Sequence, residues 1–275
     1  MTNFSFNIND IYVNSKKPCG IDEVGRGCLA GPVVTACIVM PKGEFIEGVK
    51  DSKKLTPKKR EFLYPKIIEK SIAYGFGIID NKIIDEINIR NATILAMEQA
   101  LNNLKDKDGN KFIPDLVLID ALNIHTDIKQ VSIIRGDDFV YEIACASIIA
   151  KVYRDHLMER QDEKYIGYNF AKHKGYGTKL HIESLKKLGA SEIHRITVRL
   201  RSLGFSIKEI HKIFELESMN ETEERYLNAF YIQIEAVEGK IKEFTEIKRK
   251  LRNAINKIIN IDNKDSIMEI IHDMP

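Results

Sequence analysis

Four acidic side chains occupy positions where carboxylates can do chemistry. Asp22 and Glu23 are adjacent in Gly20-Ile21-Asp22-Glu23-Val24, Asp120 closes the apolar run 114–120, and Asp137 follows Arg135-Gly136. Each sits where a predicted strand ends or turns. Clustered carboxylate oxygens without histidine or cysteine are the ligand set of Mg2+ or Mn2+. Two such ions about 4 Å apart can activate water and stabilise the leaving oxygen of an in-line phosphodiester displacement. Any one of these acids alone reads more readily as a solvated loop residue or cap; the set carries the functional reading. Neighbouring strand residues point to opposite faces, so Asp22 and Glu23 serve one site only if the backbone bends there. Gly25-Arg26-Gly27, directly downstream, offers a place for that bend.

The elements that must position these acids follow from pattern. Residues 19–24 and 32–40 read as strands around the glycine-rich stretch 25–31. Thr56 suits an N-cap with Pro57 at the first helical position, opening a helix through about residue 70. Residues 71–80 alternate as a strand, and 81–104 carry Ile84, Ile87, Ile94, Met97 and Leu101 at helical spacing. Residues 105–111 read as a solvated turn, 114–120 as a buried strand, and 131–135 as a strand ended by Gly136-Asp137-Asp138. A long helix is predicted over 141–163, where Ala144-Cys145-Ala146-Ser147 permits close packing on a sheet. A loop over 168–179 and a helix over 180–189 complete the region. This order fits a mixed sheet covered by helices, an α/β layer architecture.

Composition narrows the class. A chain of 275 residues with 44% hydrophobic and 30% charged residues is ordinary for a soluble globular protein. The net charge is only +2, so no strong polyanion signature exists for the whole chain. Residues 1–200 hold 30 Lys and Arg against 26 Asp and Glu, while 201–275 hold 12 against 14, which places any polyanion site in the first part. Cys19, Cys28, Cys37 and Cys145 show no zinc spacing and read as reduced, small apolar residues. The first residues show no signal pattern and no 18-residue apolar run occurs, so a cytoplasmic location and no membrane partner are expected.

Several motifs together resemble one family. Gly20-Ile21-Asp22-Glu23-Val24-Gly25-Arg26-Gly27 followed by Leu29-Ala30-Gly31-Pro32-Val33-Val34 is similar to the opening motif of type II ribonucleases H. Asp51-Ser52-Lys53-Lys54-Leu55, Leu118-Ile119-Asp120-Ala121, Arg135-Gly136-Asp137, Ala146-Ser147-Ile148-Ile149-Ala150-Lys151-Val152, His173-Lys174-Gly175-Tyr176-Gly177-Thr178 and His194-Arg195 follow in that family's order. The resemblance covers roughly residues 18–196. It implies a ribonuclease H-like mixed five-stranded sheet, with Asp22, Glu23, Asp120 and Asp137 as catalytic and metal-binding carboxylates for Mg2+ or Mn2+. It implies an endonuclease acting on RNA–DNA hybrids and on ribonucleotides embedded in duplex DNA, giving 5′-phosphate and 3′-hydroxyl ends. Gly25, Arg26 and Gly27 would approach the ribonucleotide, whose 2′-hydroxyl distinguishes RNA from DNA, and Tyr176 would stack on a sugar. Lys53 and Lys174 are candidate phosphate contacts. Three departures stand out: Cys28 where the family often has Pro, Arg135 for the common Lys, and Asp138-Phe139 after Asp137, which adds negative charge beside the site. Asp155, one turn after Lys151, reads as a structural ion pair.

The tail differs in kind. Leu227, Phe230, Ile234, Val237, Ile241, Phe244, Lys248, Leu251, Ile255 and Ile258 alternate by three and four residues, a heptad seam on a helix of about 48 Å. The segment Arg199-Leu200-Arg201-Ser202-Leu203-Gly204-Phe205 onward resembles part of the MerR-type regulator domain ahead of its dimerisation helix. Residues 1–198 are therefore expected to form the nuclease domain and 199–275 an all-α extension with a coiled-coil helix. A homodimer through that helix is what the resemblance implies; the pattern alone fits equally an amphipathic helix folding back on the nuclease or forming an internal hairpin. Two other readings differ in function: an inactive nuclease fold serving as a dimeric scaffold, and a type III ribonuclease H, which the short stretch before the first strand disfavours.

Overall fold

The computed structural model describes residues 12, 14–206, 208–210, 212–213 and 223–259. They fall into two compact units that divide after Ser202. The first contains strands β1 (Pro18–Val24), β2 (Val33–Val39), β3 (Ala73–Ile79), β4 (Lys105–Asp106), β5 (Leu116–Asp120) and β6 (Gln130–Ile133). Its helices are α1 (Pro57–Lys70), α2 (Asn81–Asn102), α3 (Gly136–Phe139), α4 (Tyr141–Lys164), α5 (Phe170–His173), α6 (Lys179–Leu188) and α7 (Ile196–Ser202).

The strands form one sheet in the order β4-β3-β2-β1-β5-β6. β1, β2 and β3 pair antiparallel, whereas β5 runs parallel to both β1 and β6. The sheet is mixed, as expected, with one strand more than the five predicted. The extra strand is the two-residue β4, within the stretch read as a turn; Lys105 pairs with Tyr74 and Asp106 with Ala73. Both readings are true of that stretch, because Asp106 Oδ1 accepts the Asp108 and Asn110 N–H groups and so builds the turn from the strand's last residue.

Alternation sorts the core into two layers. Cys19, Ile21, Cys37, Val39, Val117 and Ile119 meet Met97, Ala100 and Leu101 of α2 on one face. Ala36 and Ile38 meet Leu63 and Ile67 of α1 and Ile148 and Ile149 of α4 on the other. The four cysteines are free and buried in this core. The capping chemistry of α1 is the predicted one: the Lys59 N–H donates to Thr56 Oγ1, and Pro57 occupies the first turn. α2, expected as one uninterrupted helix, breaks at Asn88, where φ is 65°. Asn88 Oδ1 accepts the Arg90 and Asn91 N–H groups, so the side chain caps a second segment within the same apolar pattern.

In the second unit, α8 (Glu223–Ile259) is the long helix that the heptad spacing predicts. Leu227, Phe230, Ile234, Val237, Ile241, Phe244, Leu251 and Ile255 are all exposed along it. The Phe205 ring packs edge-on to Phe230 at 5.1 Å, and Gln233 Nε2 donates to the Leu203 carbonyl. Part of the expected extension, including Ile207 and residues 260–275, lies outside the described residues. Among the described residues no helix is long and apolar enough to cross a membrane.

β3 and α2 touch backbone to backbone. A Cβ at Gly77 would stand 1.8 Å from the Ala96 carbonyl oxygen. Gly77→Ala is therefore expected to cost about 3 kcal/mol, the upper end of ordinary overpacking, seen as a lower urea midpoint with an unchanged slope. An unshifted midpoint would mean that strand and helix are not packed this closely.

Candidate active site

β1 and β5 are parallel neighbours with Ile21 opposite Ile119, so Asp22 and Asp120 follow side by side at the strands' carboxyl ends. Both belong to the α4 face: Asp22 pairs across the sheet with Ala36, and Leu118, two residues before Asp120, packs on Ile143. Asp137 arrives from the turn after β6. Arg135 adopts φ 58° to reverse the chain, and the Gly136 N–H donates to Asp120 Oδ1 at 2.7 Å, tying that turn to the end of β5.

Glu23 reaches the site differently from the sequence-based expectation. The strand does not bend between Asp22 and Glu23; β1 stays paired through Val24, and the turn comes at Gly25, with φ +106°. Glu23 thus starts from the α2 face, opposite Thr35, whose hydroxyl donates to Ala96. Its position at the strand end and its extra methylene still bring its carboxylate within electrostatic reach of Asp120 and Lys53.

These groups disturb one another strongly. Burial raises Asp22 well above the usual carboxylate range; the Glu23, Asp120 and Asp137 charges add to the shift, and the Glu23 N–H, 2.8 Å from Oδ1, opposes it. Burial also raises Glu23, against the nearby Arg26 guanidinium. Asp137 is raised by burial and then by the charge of Asp51, a fifth carboxylate beside it. Burial works against the Lys53 charge, yet the Asp137, Asp22 and Asp51 carboxylates outweigh it and keep the ammonium protonated, with Nζ 3.5 Å from Asp137 Oδ2. Asp138, expected to add charge beside the metals, is neutralised: Lys54 and Arg135 both pair with it.

Divalent-cation chemistry suits this donor set. Glu23 Oε2 is buried with no hydrogen-bond partner among the described residues, and burial, with neighbouring carboxylates, raises Asp22 and Asp137, a penalty on the charged form that a cation would offset. As the side chains stand, no three His, Cys, Asp or Glu among the described residues are disposed to share one ion. Asp22 and Asp120 each accept a backbone N–H, and Asp137 faces Lys53 and Asp51. Gathering oxygens onto an ion requires these side chains to turn.

The predicted substrate loop stands beside the acids. A Cβ at Gly25 would lie 2.5 Å from Arg154 Nε and 2.6 Å from the Pro32 oxygen, whereas the Cβ direction at Gly27 is open. Arg154, fully buried, donates Nε to Pro32, Nη1 to Lys174 and Nη2 to Ala30 carbonyls. It thereby joins this loop to the segment carrying Tyr176. Sequence reasoning passed over Arg154 and Asp51. The available signals were a charge on the sheet-facing side of α4, and the first residue of the Asp51–Leu55 motif. The Tyr176 ring lies 5.5 Å from Lys151 Nζ and 5.7 Å from Arg154 Cζ, and burial pushes its phenol up to about 12. Lys151 pairs with Asp155 at 2.5 Å, as their spacing suggests. Lys53 is 80% exposed, and Arg26 is also accessible. Lys174 is covered and paired with Glu159 at 2.5 Å, so its ammonium neutralises a neighbouring acid. Behind Tyr176, His173, His181 and His194 pack around Phe170.

Known proteins share this arrangement of chain. The structure of ribonuclease H2 from Pyrococcus horikoshii superposes with a TM-score of 0.56 at 28% identity, over 68% of this chain and 98% of that one. A ribonuclease HIII in complex with Mn2+ superposes with a TM-score of 0.55 at 17% identity, over 73% of each chain, a likeness of fold alone. The class is therefore that of ribonucleases H. A family model described as Ribonuclease HII matches residues 19–202. Ribonuclease HII of Alkaliphilus metalliredigens is 57% identical over 176 residues, 64% of this chain and 86% of that protein. Ribonuclease HII of Caldicellulosiruptor bescii is 56% identical over 180 residues, 65% and 84% respectively. The chain belongs to the ribonuclease HII family, enzymes that cleave the RNA of RNA–DNA hybrids.

Burial, and then the neighbouring His181, His173 and Arg199, lower His194 from an ordinary 6.5 to about 4. An unfolded chain binds a proton on His194 below about 6.5, which the folded chain refuses until about 4. The unfolded state thus binds more protons in that window, and stability falls as pH falls. The urea midpoint is expected to drop between pH 7 and pH 5, and His194→Asn to flatten that dependence; identical slopes in both proteins would show that the folded chain binds a proton on His194 as readily as the unfolded one.

Proposed function

We propose that this chain hydrolyses the RNA strand of RNA–DNA hybrids and also incises duplex DNA at single embedded ribonucleotides, leaving 5′-phosphate and 3′-hydroxyl ends. The observation that supports it most is the crowding of Glu23, Asp120 and Asp137 about Asp22, which is only 6% exposed. Asp22, Glu23, Asp120 and Asp137 would hold divalent ions, Mg2+ or Mn2+, through hard oxygen donors. Bound there, such ions supply a water of lowered pKa and charge stabilisation for the leaving oxygen.

The chain's own residues do the rest. Lys53, exposed and held protonated beside Asp137, presents its ammonium to a phosphate next to the scissile one. Arg26 offers a second cation from the loop. The unobstructed main chain at Gly27 can come close to a ribose and sense the 2′-hydroxyl through peptide groups. The face of Tyr176 offers a platform for the adjacent sugar. The Gly136 N–H holds one oxygen of Asp120 at the end of β5.

Asp22→Asn is expected to abolish cleavage of a uniformly labelled hybrid in Mg2+ while leaving hybrid affinity nearly unchanged; retained turnover overturns the metal assignment. Duplex DNA with one ribonucleotide should be cut at that nucleotide by the parent enzyme. Cleavage confined to continuous hybrids would remove the embedded-ribonucleotide part of the reading.

A further inference from the structure

Tyr176 lies in a short turn with no regular structure of its own, yet that turn is anchored in front and behind. In front, the Leu29 and Ala30 N–H groups donate to the Gly175 oxygen at 2.8 and 3.4 Å, and Cys28 pairs with Tyr176. The Gly25–Gly31 loop that supplies those donors is itself gripped by segment 193–195: Gly31 N–H donates to Ile193, Arg195 N–H to Leu29, and Arg195 Nη2 to the Gly25 oxygen. Behind the turn sit three imidazoles.

Their hydrogen bonds can be read as a sequence of proton positions. His181 Nδ1 lies 2.9 Å from the Tyr176 carbonyl oxygen, which can only accept, so Nδ1 carries the proton. A neutral His181 then has a bare Nε2, and His194 Nε2, 3.0 Å away, must donate to it. His194 Nδ1 is left as an acceptor for the Ser191 N–H at 2.9 Å and the Ser191 hydroxyl at 2.8 Å, both nearer than the Ser191 carbonyl oxygen at 3.2 Å, to which a protonated Nδ1 would donate. His173 is fixed in the same manner: Nε2 donates to the Tyr168 oxygen at 2.8 Å, and Nδ1 accepts the Gly175 N–H at 3.2 Å. The His173 and His181 rings stack at 4.1 Å. His181 and His194 are fully buried, and burial lowers all three imidazoles, which keeps them neutral.

We propose that His181 and His194 are positioning residues for substrate recognition: a one-way chain of neutral imidazoles from Ser191 to the Tyr176 carbonyl sets the Tyr176 turn against the Gly25–Gly31 loop. The proposal rests on the reading of Tyr176 and that loop as the sugar-recognising edge. It follows that segment 193–195 and the Tyr176 turn, each bonded through its backbone to residues 28–31, are also joined behind that loop through side-chain protons. Reversing or deleting the His181 tautomer leaves the Tyr176 carbonyl with only the Thr178 N–H, at 2.8 Å, and frees the turn from the helix behind it, while the carboxylates on the strand ends are untouched.

Two measurements test this. In 15N-resolved imidazole spectra of the parent protein, His181 should show the proton on Nδ1, and His173 and His194 on Nε2; any other assignment overturns the relay. That readout needs no turnover, so its failure is distinct from failure of the nuclease reading. In steady-state cleavage of duplex DNA with one ribonucleotide, His181→Leu should raise KM about tenfold, the loss expected for one buried hydrogen bond, with kcat little changed. His181→Asn, whose amide can still donate to the Tyr176 oxygen, should restore KM. An unchanged KM in a folded His181→Leu protein, or equal losses with both substitutions, would reduce the cluster to packing alone. If His181→Leu does not fold, His194→Leu, which removes the donor to His181 Nε2, should raise KM in the same way, and an unchanged KM there overturns the proposal.

Discussion

The constraint on which this structure depends is the confinement of like charges. Asp22 is almost wholly buried, with Glu23, Asp120 and Asp137 within electrostatic reach. Two unit charges 4 Å apart repel by about 4 kcal/mol at an effective dielectric near 20. Such a cluster persists only where the scaffold holds it from outside. Here the scaffold is the pair of parallel strands β1 and β5, whose registered ends bring Asp22 beside Asp120, and the α3 turn, pinned by the Gly136 N–H. Lys53 and Arg26 offset part of the repulsion from the solvent side. The buried, unpartnered Glu23 oxygen marks how much is left uncompensated.

Recognition is supported in another way. The acids stand on strand ends and one tight turn, whereas the Gly25–Gly31 loop and the Tyr176 turn have little internal structure. Their rigidity comes from beneath. Arg154, buried without a carboxylate in its hydrogen bonds, gives three of them to three carbonyls on two segments. A guanidinium suits that role because its planar fork donates in several fixed directions and stays charged when buried. Gly25 makes the arrangement possible, since any side chain there would meet Arg154. Chemistry and recognition therefore share one edge of the sheet while depending on separate sets of interactions.

The acidic substitution after Asp137 illustrates why local charge counts mislead. Asp138 adds a negative charge to the sequence next to the site, yet Lys54 and Arg135 take it up. Asp51 does the reverse. It opens a lysine-rich motif that reads as a phosphate contact, but its own carboxylate faces Asp137 and joins the cluster. The field at the site is a property of which side chains meet, and the meeting partners lie some eighty residues apart.

Much of this protein was legible in its residues. Thr56 and Pro57 start α1, small residues line the sheet-facing side of α4, apolar spacing marks α8, and the acids stand at strand ends. These features depend on contacts within one to four positions, so composition and period determine them. Other features needed the folded chain. Glu23 reaches the cluster from the opposite face without a bend, α2 breaks at Asn88, and two residues at the turn before β5 add an edge strand. Arg154 and the three histidines became structural because burial removed water as their alternative partner. Backbone propensity and pattern act locally, whereas register, burial and proton direction depend on partners that the chain brings together only when it folds.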